Sequence, residues 1–402
     1  LTGIEVAPAM RKASLPPAVG AWRVWTDNFV GTPVRYKAAV QAVCRLPSGR
    51  SVVWWVDPGI LSSGIFSAAA WHSAFERLQT SFCGSAGGLA QLNGLLGDVW
   101  GLAASDYANS IQDGPLLQDI HVVVLNVPPS SKWAGYFFGG NNLLKSSSPN
   151  SNEALALFIN ASQMKMDLNF VMSTLLHEAT HMVNFYQRSI TKGVVHDTWL
   201  EETSAMMTED IVAPAVLGGY NKVLSYRLPI YAASGGNVSY INWPTLADAS
   251  AHYAMGGGFG AFLNRRYGLA IYQQLASGCS DAQADSASAA LTSYACLDGL
   301  IKANGGAGFS DEFARFGATV FGQFPATGMP AGYGLPATNA GGYQLQAKDM
   351  SQLTLGPAAA LGSGHRATSH IFARDVIGPG KSVYVRSGVV VPANTTLVVT
   401  IQ

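Results

Sequence analysis

Charge is scarce in this sequence. Lys, Arg, Asp and Glu make up 12% of 402 residues, with 24 basic and 24 acidic side chains and no long basic run. Recruitment by electrostatics to nucleic acid or to an anionic membrane is therefore unsupported. No run of eighteen apolar residues occurs, so no membrane-spanning helix is expected. The four cysteines, Cys44, Cys83, Cys279 and Cys296, include no C-x-x-C pair, which argues against a structural zinc or redox site. There is no G-x-S-x-G elbow for a serine nucleophile. Gly256-Gly257-Gly258 follows no strand and has no Lys-Ser/Thr, so it is not a phosphate loop. No internal repeat of fixed period is present.

What is abundant is small and apolar. Gly reaches 44, and Trp, Tyr and Phe number 9, 15 and 17, a composition that builds a core rather than a disordered chain. An even cysteine count, few lysines and many small residues favour export and disulfides. Cys279 and Cys296 flank a short polar stretch and form one candidate bridge, leaving Cys44 with Cys83, although three pairings are possible. The chain starts at Leu1 without an initiator Met, as expected of a processed form.

The first third reads as strands with one helix. Val40 to Leu46, the turn Pro47-Ser48-Gly49-Arg50 and Ser51 to Val56 predict a hairpin. Phe66 to Phe82 has helical spacing. Asp119 to Val127 is a buried-strand pattern, and Trp133 to Phe138 and Ala154 to Ile159 are short strands. From Asp167 the character turns helical: Asn169 to Arg188 is the strongest helix, followed by Thr198 to Val212, Ser250 to Arg266, Ala270 to Ala276 and Ser310 to Phe316. Val376 to Val390 and Thr396 to Gln402 alternate as strands.

Residues 177 to 181 read His-Glu-Ala-Thr-His. On a helix, i and i+4 leave the same face one turn apart, so the imidazoles of His177 and His181 can chelate one zinc ion. Glu178 stands beside the first ligand without being in line with both, which suits a base for water activated at the metal. A second block, Thr198-Trp199-Leu200-Glu201-Glu202, follows. Four of the eight Glu (Glu178, Glu201, Glu202, Glu209) fall within 32 residues. Carboxylates so scarce, gathered beside two histidines, indicate a third ligand. Thr198 and Glu201 match a capping box, which leaves Glu202 to face the metal, with Glu201 as the alternative. Glu209, seven residues on, shares the Glu202 face and suits a hydrogen bond to a ligand histidine. His196 and Asp197 read as turn and cap residues. His72, His121, His365 and His370 have no partner at metal spacing.

These two blocks resemble zinc metallopeptidases whose third ligand is a glutamate, and the layout of about residues 50 to 335 resembles the hyicolysin family of secreted bacterial metallopeptidases. Related aminopeptidases carry Trp-Leu-x-Glu-Gly with the ligand at its fourth position, which falls on Glu202; here Thr203 replaces the Gly, and the gap of 20 residues from His181 is slightly longer than usual. The resemblance assigns oxyanion stabilisation to Tyr253, in a Tyr-x-x-Gly setting, with His252 as the alternative. It implies that the strand Ala154 to Ile159 binds extended substrate by β-addition. Aminopeptidase relatives grip the substrate amine with a Gly-x-Met-Glu-Asn run. Gly139-Gly140-Asn141-Asn142 lacks the Glu, which argues for an endopeptidase.

The expected fold is therefore α+β, a zincin-like unit over 1–338 (about 1–166 sheet-bearing, 167–338 mainly helical) with a C-terminal β unit over 339–402. The expected activity is zinc-dependent (Zn²⁺) hydrolysis of extended polypeptides, in a secreted or extracytoplasmic bacterial protein. The alternatives are a non-catalytic surface binding protein or adhesin on a peptidase scaffold, and an aminopeptidase.

Overall fold

The computed structural model describes residues 14–29, 31–107, 109–245, 248–279, 289–359, 364–375, 377–380 and 383–401. The chain divides into two compact units. One comprises Leu1–Val195, Val212–Tyr220 and Ala276–Ala284; the other comprises His196–Ile211, Asn221–Leu275 and Asp285–Gln402. The division falls inside a single helix, Thr198–Val216.

The first unit is built on a six-stranded mixed sheet. In chain order its strands are β1 (Trp22–Asp27), β2 (Val34–Arg45), β3 (Ser51–Val56), β4 (Ile120–Leu125), β5 (Gly135–Phe137) and β6 (Leu155–Asn160). Their spatial order is β1-β2-β3-β4-β6-β5. β3, β4 and β6 run parallel to one another; the outer pairings β1/β2, β2/β3 and β5/β6 are antiparallel. Strands buried on both faces lose their alternation, and β4 (IHVVVL) and β6 (LALFIN) are buried at every residue. β1 and β2 keep theirs.

On one face Trp25, Trp55, Tyr136 and Phe158 form an aromatic core, with Tyr136 stacked on Phe158 at 4.7 Å. On the other, Trp54 meets Phe75 and Phe82. These two lie on α2 (Ala68–Phe82), which follows the short α1 (Gly59–Ser62). The Ser67 side chain caps α2 by accepting from Ala70 N–H. The Cys44–Cys83 disulfide ties β2 to the end of α2 across a sequence separation of 39, a closure that stabilises by about 4 kcal/mol in the loop-entropy treatment. Cys279 and Cys296 are also disulfide-bonded.

The hairpin turn does more than reverse the chain. Arg50 is 1% exposed, and its guanidinium bonds Asp98, Asp113 and the carbonyls of Trp100 and Gln118, the Asp113 contacts at 2.9 and 3.0 Å. Removing one partner of such a pair strands a buried charge at about 3–5 kcal/mol, because the Asp113 side chain is 3% exposed. Arg50→Met is expected to lower unfolding free energy by that amount in urea titration. A loss under about 1 kcal/mol, the range of exposed pairs, would show the cluster to be solvated.

The remaining helices are α3 (Gly88–Leu96), α4 (Ala161–Met166), α5 (Leu168–Asn184), α6 (Thr198–Val216), α7 (Leu228–Ala233), α8 (Ser250–Tyr267), α9 (Leu269–Ser277), α10 (Ala289–Ala303) and α11 (Phe309–Phe321). α5 ends at Asn184 and continues as a π-helical stretch, Phe185–Ile190, so the expected single helix to Arg188 changes its winding four residues early. α8, α10 and α11 belong to the second unit. There Asp210 is gripped by Arg265, Asn264 and Asn221, and Glu312 by Arg266 and Tyr267.

The α+β class holds, with a small β unit near the C-terminus. It is an antiparallel pair, β7 (Thr338–Ala340) and β8 (Tyr343–Leu345). Gly341 and Gly342 turn between them at φ 57° and 96°, and two positive φ values are what a tight hairpin turn requires. The strands expected over Val376 to Val390 and Thr396 to Gln402 are absent among the described residues; 376, 381, 382 and 402 lie outside them. The alternating Val383, Val385, Val399 and Ile401 are 69–86% exposed. β propensity is realised only against a paired neighbour, and these residues have no ladder. Among the described residues no helix is long and apolar enough to cross a membrane.

Candidate active site and metal centre

α5 starts where Asp167 accepts from Phe170 N–H at 2.9 Å, satisfying one of the orphan donors of the first turn. It runs buried at almost every position from Val171 to Asn184. His177 and His181 are one turn apart on it. Their rings stand nearly perpendicular, 4.8 Å between centroids, with Nε2 facing Nε2 at 3.1 Å. Two nitrogens on a tetrahedral ion with Zn–N of about 2.0–2.1 Å sit about 3.3–3.4 Å apart, so the pair matches a zinc edge within a few tenths of an ångström. The same separation serves a hydrogen bond when one ring carries the proton.

Glu178 follows His177 and is 8% exposed. Its Oε2 accepts from Phe137 N–H at 2.9 Å, tying α5 to β5. Gly135 makes that approach possible: a Cβ there would lie 3.0 Å from Ile159 Cδ1 and 3.3 Å from Thr174 Cγ2. Thr174 stands one turn before Glu178, on the same face. β5 also corrects the expectation for extended-substrate binding. The strand Ala154 to Ile159 corresponds to β6, which is flanked by β4 and β5. Its backbone is committed on both sides, and the outermost strand on that side of the sheet is β5.

α6 supplies the carboxylates. The Asp197 carbonyl accepts from Leu200 and Glu201 N–H, so Thr198 is the first helical residue and the cap falls on Asp197, as read for a cap residue. The Thr198–Glu201 capping box is therefore one position out of register. Glu202 and Glu201 are each partly exposed and about 100° apart around the axis. His177 and His181 belong to the first unit and Glu202 to the second. Two imidazoles and a carboxylate form the donor set of a catalytic zinc site with an open position.

Tyr253, in the first turn of α8, donates its hydroxyl to Glu202 Oε1 at 3.0 Å. Glu209 is fully buried, and its carboxylate is held by Arg227 at 2.6 and 2.8 Å and Lys222 at 3.2 Å. Burial alone would lower the Arg227 guanidinium; the Glu209 carboxylate, with Glu202 and Tyr253 beyond it, more than reverses this and holds it above its ordinary range. His252 is 5% exposed, and burial together with Arg366 pushes its imidazole below the usual range.

A family profile described as peptidase M30 matches residues 34–402, nearly the whole chain. The chain belongs to this family. It is the hyicolysin family to which the two motif blocks pointed, and membership makes the protein a peptidase, a hydrolase with a polypeptide substrate. A metallopeptidase family implies a metal cofactor, and imidazole and carboxylate side chains such as those of His177, His181 and Glu202 are chemically suited to hold one. No curated protein matches the chain. The disulfides are consistent with an extracellular peptidase.

Elsewhere in the peptidase two of the histidines without metal spacing, His121 and His370, are accounted for by packing. His121 takes a hydrogen bond from Trp55 Nε1 at 2.9 Å, and burial pushes it down to about 3. His370 lies between the Tyr231 hydroxyl and the Phe313 carbonyl. Two contacts were invisible in the sequence. The Phe137 N–H to Glu178 bond spans 41 residues, and a backbone donor has no residue signature. Arg227 lies 18 residues beyond Glu209, outside any single-helix spacing.

Proposed function

We propose that this M30 peptidase is a secreted zinc endopeptidase, with His177, His181 and Glu202 as ligands, Glu178 as general base and Tyr253 as oxyanion donor. The facing Nε2 atoms of His177 and His181 one helical turn apart, with Glu178 held beside them, support this reading. A zinc ion there supplies Lewis acidity toward a carbonyl oxygen and toward water. Glu178 takes the proton from the attacking water and returns it to the leaving amine. Its bond to Phe137 N–H holds one carboxylate oxygen against the edge strand and leaves the other free to work. Tyr253, whose hydroxyl already reaches an acceptor at the ligand carboxylate, donates to the developing oxyanion. An extended substrate adds to the outer edge of β5, so main-chain hydrogen bonds align it beside Glu178.

Endopeptidase action is favoured because Asn141 and Asn142 are fully buried in the Gly139–Asn142 turn, and that turn offers no carboxylate to a substrate amine. The test is zinc content with digestion of an unfolded protein. One zinc per chain is expected, with internal cleavage that also proceeds on N-acetylated peptides, stops on chelation and returns with zinc. A strict need for a free amino terminus would make the protein an aminopeptidase. Absence of both zinc and cleavage would defeat the reading, and an immobilised partner retained after zinc removal would turn it toward an adhesin.

A further inference from the structure

α8 carries Gly256, Gly257, Gly258 and Gly260 in its interior, each costing about 1 kcal/mol in helix propensity against Ala. Close packing explains them. A Cβ on Gly256 would lie 2.8 Å from Met206 Cε and 3.1 Å from Thr203 Oγ1, and one on Gly260 2.9 Å from Met207 Cγ. These neighbours all belong to α6, the helix of Glu202, so the missing side chains bring Tyr253 within reach of that carboxylate.

Gly257 faces something else. Its Cβ would lie 2.6 Å from Cδ of Arg227. Gly257 stands one turn after Tyr253 on the same face of α8. Arg227 is 7% exposed, and its guanidinium carbon lies 5.6 Å from the centroid of the Tyr253 ring. That is within range of attraction between a cation and an aromatic face. The guanidinium is fixed in turn by its two-point bond to Glu209, whose carboxylate also holds Lys222.

We propose that Arg227 is a positioning residue for the reaction: fixed by Glu209 and admitted by Gly257, it holds the Tyr253 ring so that the hydroxyl points at the reacting centre. The proposal rests on Tyr253 acting as the oxyanion donor. The side chains that hold Arg227 are charged and buried, so the same residues also stabilise the fold, and the experiment must separate the two roles.

The zinc-loaded full chain is assayed on an N-acetylated peptide as wild type, Tyr253→Phe, Arg227→Met, Arg227→Lys, Gly257→Ala and the double variant Tyr253→Phe/Arg227→Met. Tyr253→Phe should lower kcat by about 10²-fold, as loss of one oxyanion donor does. Arg227→Met should lower kcat by on the order of 10²-fold through misplacement of that donor, with KM and zinc content unchanged. Arg227→Lys should recover part of the loss, because a cation remains near the ring. The double variant should be no slower than Tyr253→Phe alone, since residues acting through one group are not additive. Gly257→Ala displaces the Arg227 stem without deleting a charge and should reproduce the kcat loss even where Arg227→Met does not fold.

Additive losses in the double variant would overturn the proposal. So would a kcat loss that only tracks the fraction of folded, zinc-bearing protein. A wild-type kcat in Tyr253→Phe would remove the reading of Tyr253 and this proposal with it. A loss in Tyr253→Phe with wild-type kcat in Arg227→Met and Gly257→Ala removes this proposal alone.

Discussion

Glu178→Gln should retain one zinc per chain while kcat falls by about 10²–10⁴-fold, the usual contribution of a positioned proton-transfer group. Glutamine keeps the shape of the side chain and its carbonyl oxygen, so the bond from Phe137 N–H survives. The buried position beside His177 stays filled, and the fold is unchanged. What is lost is a group able to take a proton near neutral pH. Zinc content and steady-state kinetics on an N-acetylated peptide, measured on one preparation, read both quantities. A kcat within tenfold of wild type would assign the proton transfer to another group. Loss of the zinc would mean that Glu178 holds the metal rather than the water.

Glu202→Ala should release the metal. Its carboxylate is the proposed third donor beside two imidazoles, and a site with two imidazoles alone is a weak chelate. The expected loss of affinity is larger than the roughly 10–100-fold that follows removal of an outer hydrogen-bond partner. Glu201→Ala should keep its zinc, because neighbouring residues on a helix point about 100° apart. Glu202 is partly exposed, so truncation leaves no buried cavity to confuse the result. Zinc competition with a chelator of known affinity, run on both variants, decides the matter. Full zinc in Glu202→Ala with loss in Glu201→Ala would move the third ligand by one residue. The same variant removes the acceptor of the Tyr253 hydroxyl, so activity alone would not distinguish the two roles.

The places where sequence reading failed share a cause. Val383 to Ile401 has strand chemistry, and its described residues have no ladder to complete. The substrate edge was expected at Ala154 to Ile159 from the family resemblance. Yet three-residue β5 takes the outer position, and that follows from topology rather than composition. The capping box slipped by one residue because Asp197 and Thr198 are both good caps, and only the carbonyl that accepts the first helical bonds distinguishes them. The glycines of α8 were recognised as no phosphate loop, but their purpose needed the neighbours Met206, Thr203 and Arg227.

The sequence by itself determined the features that are local. A helix places residues four apart on one face, so His177 and His181 were legible as a pair, with Glu178 beside them. The hairpin around Arg50, the helix Phe66 to Phe82 and the buried run Asp119 to Val127 were legible for the same reason, since periodicity of two or 3.6 residues is set by backbone geometry. Only the tertiary structure decided which strand lies outermost beside Glu178, and that Glu209 is locked between Lys222 and Arg227. Those facts depend on contacts between residues tens of positions apart. Such contacts are selected by packing, by glycine-permitted close approach and by the pairing of buried charge, none of which leaves a spacing in the chain.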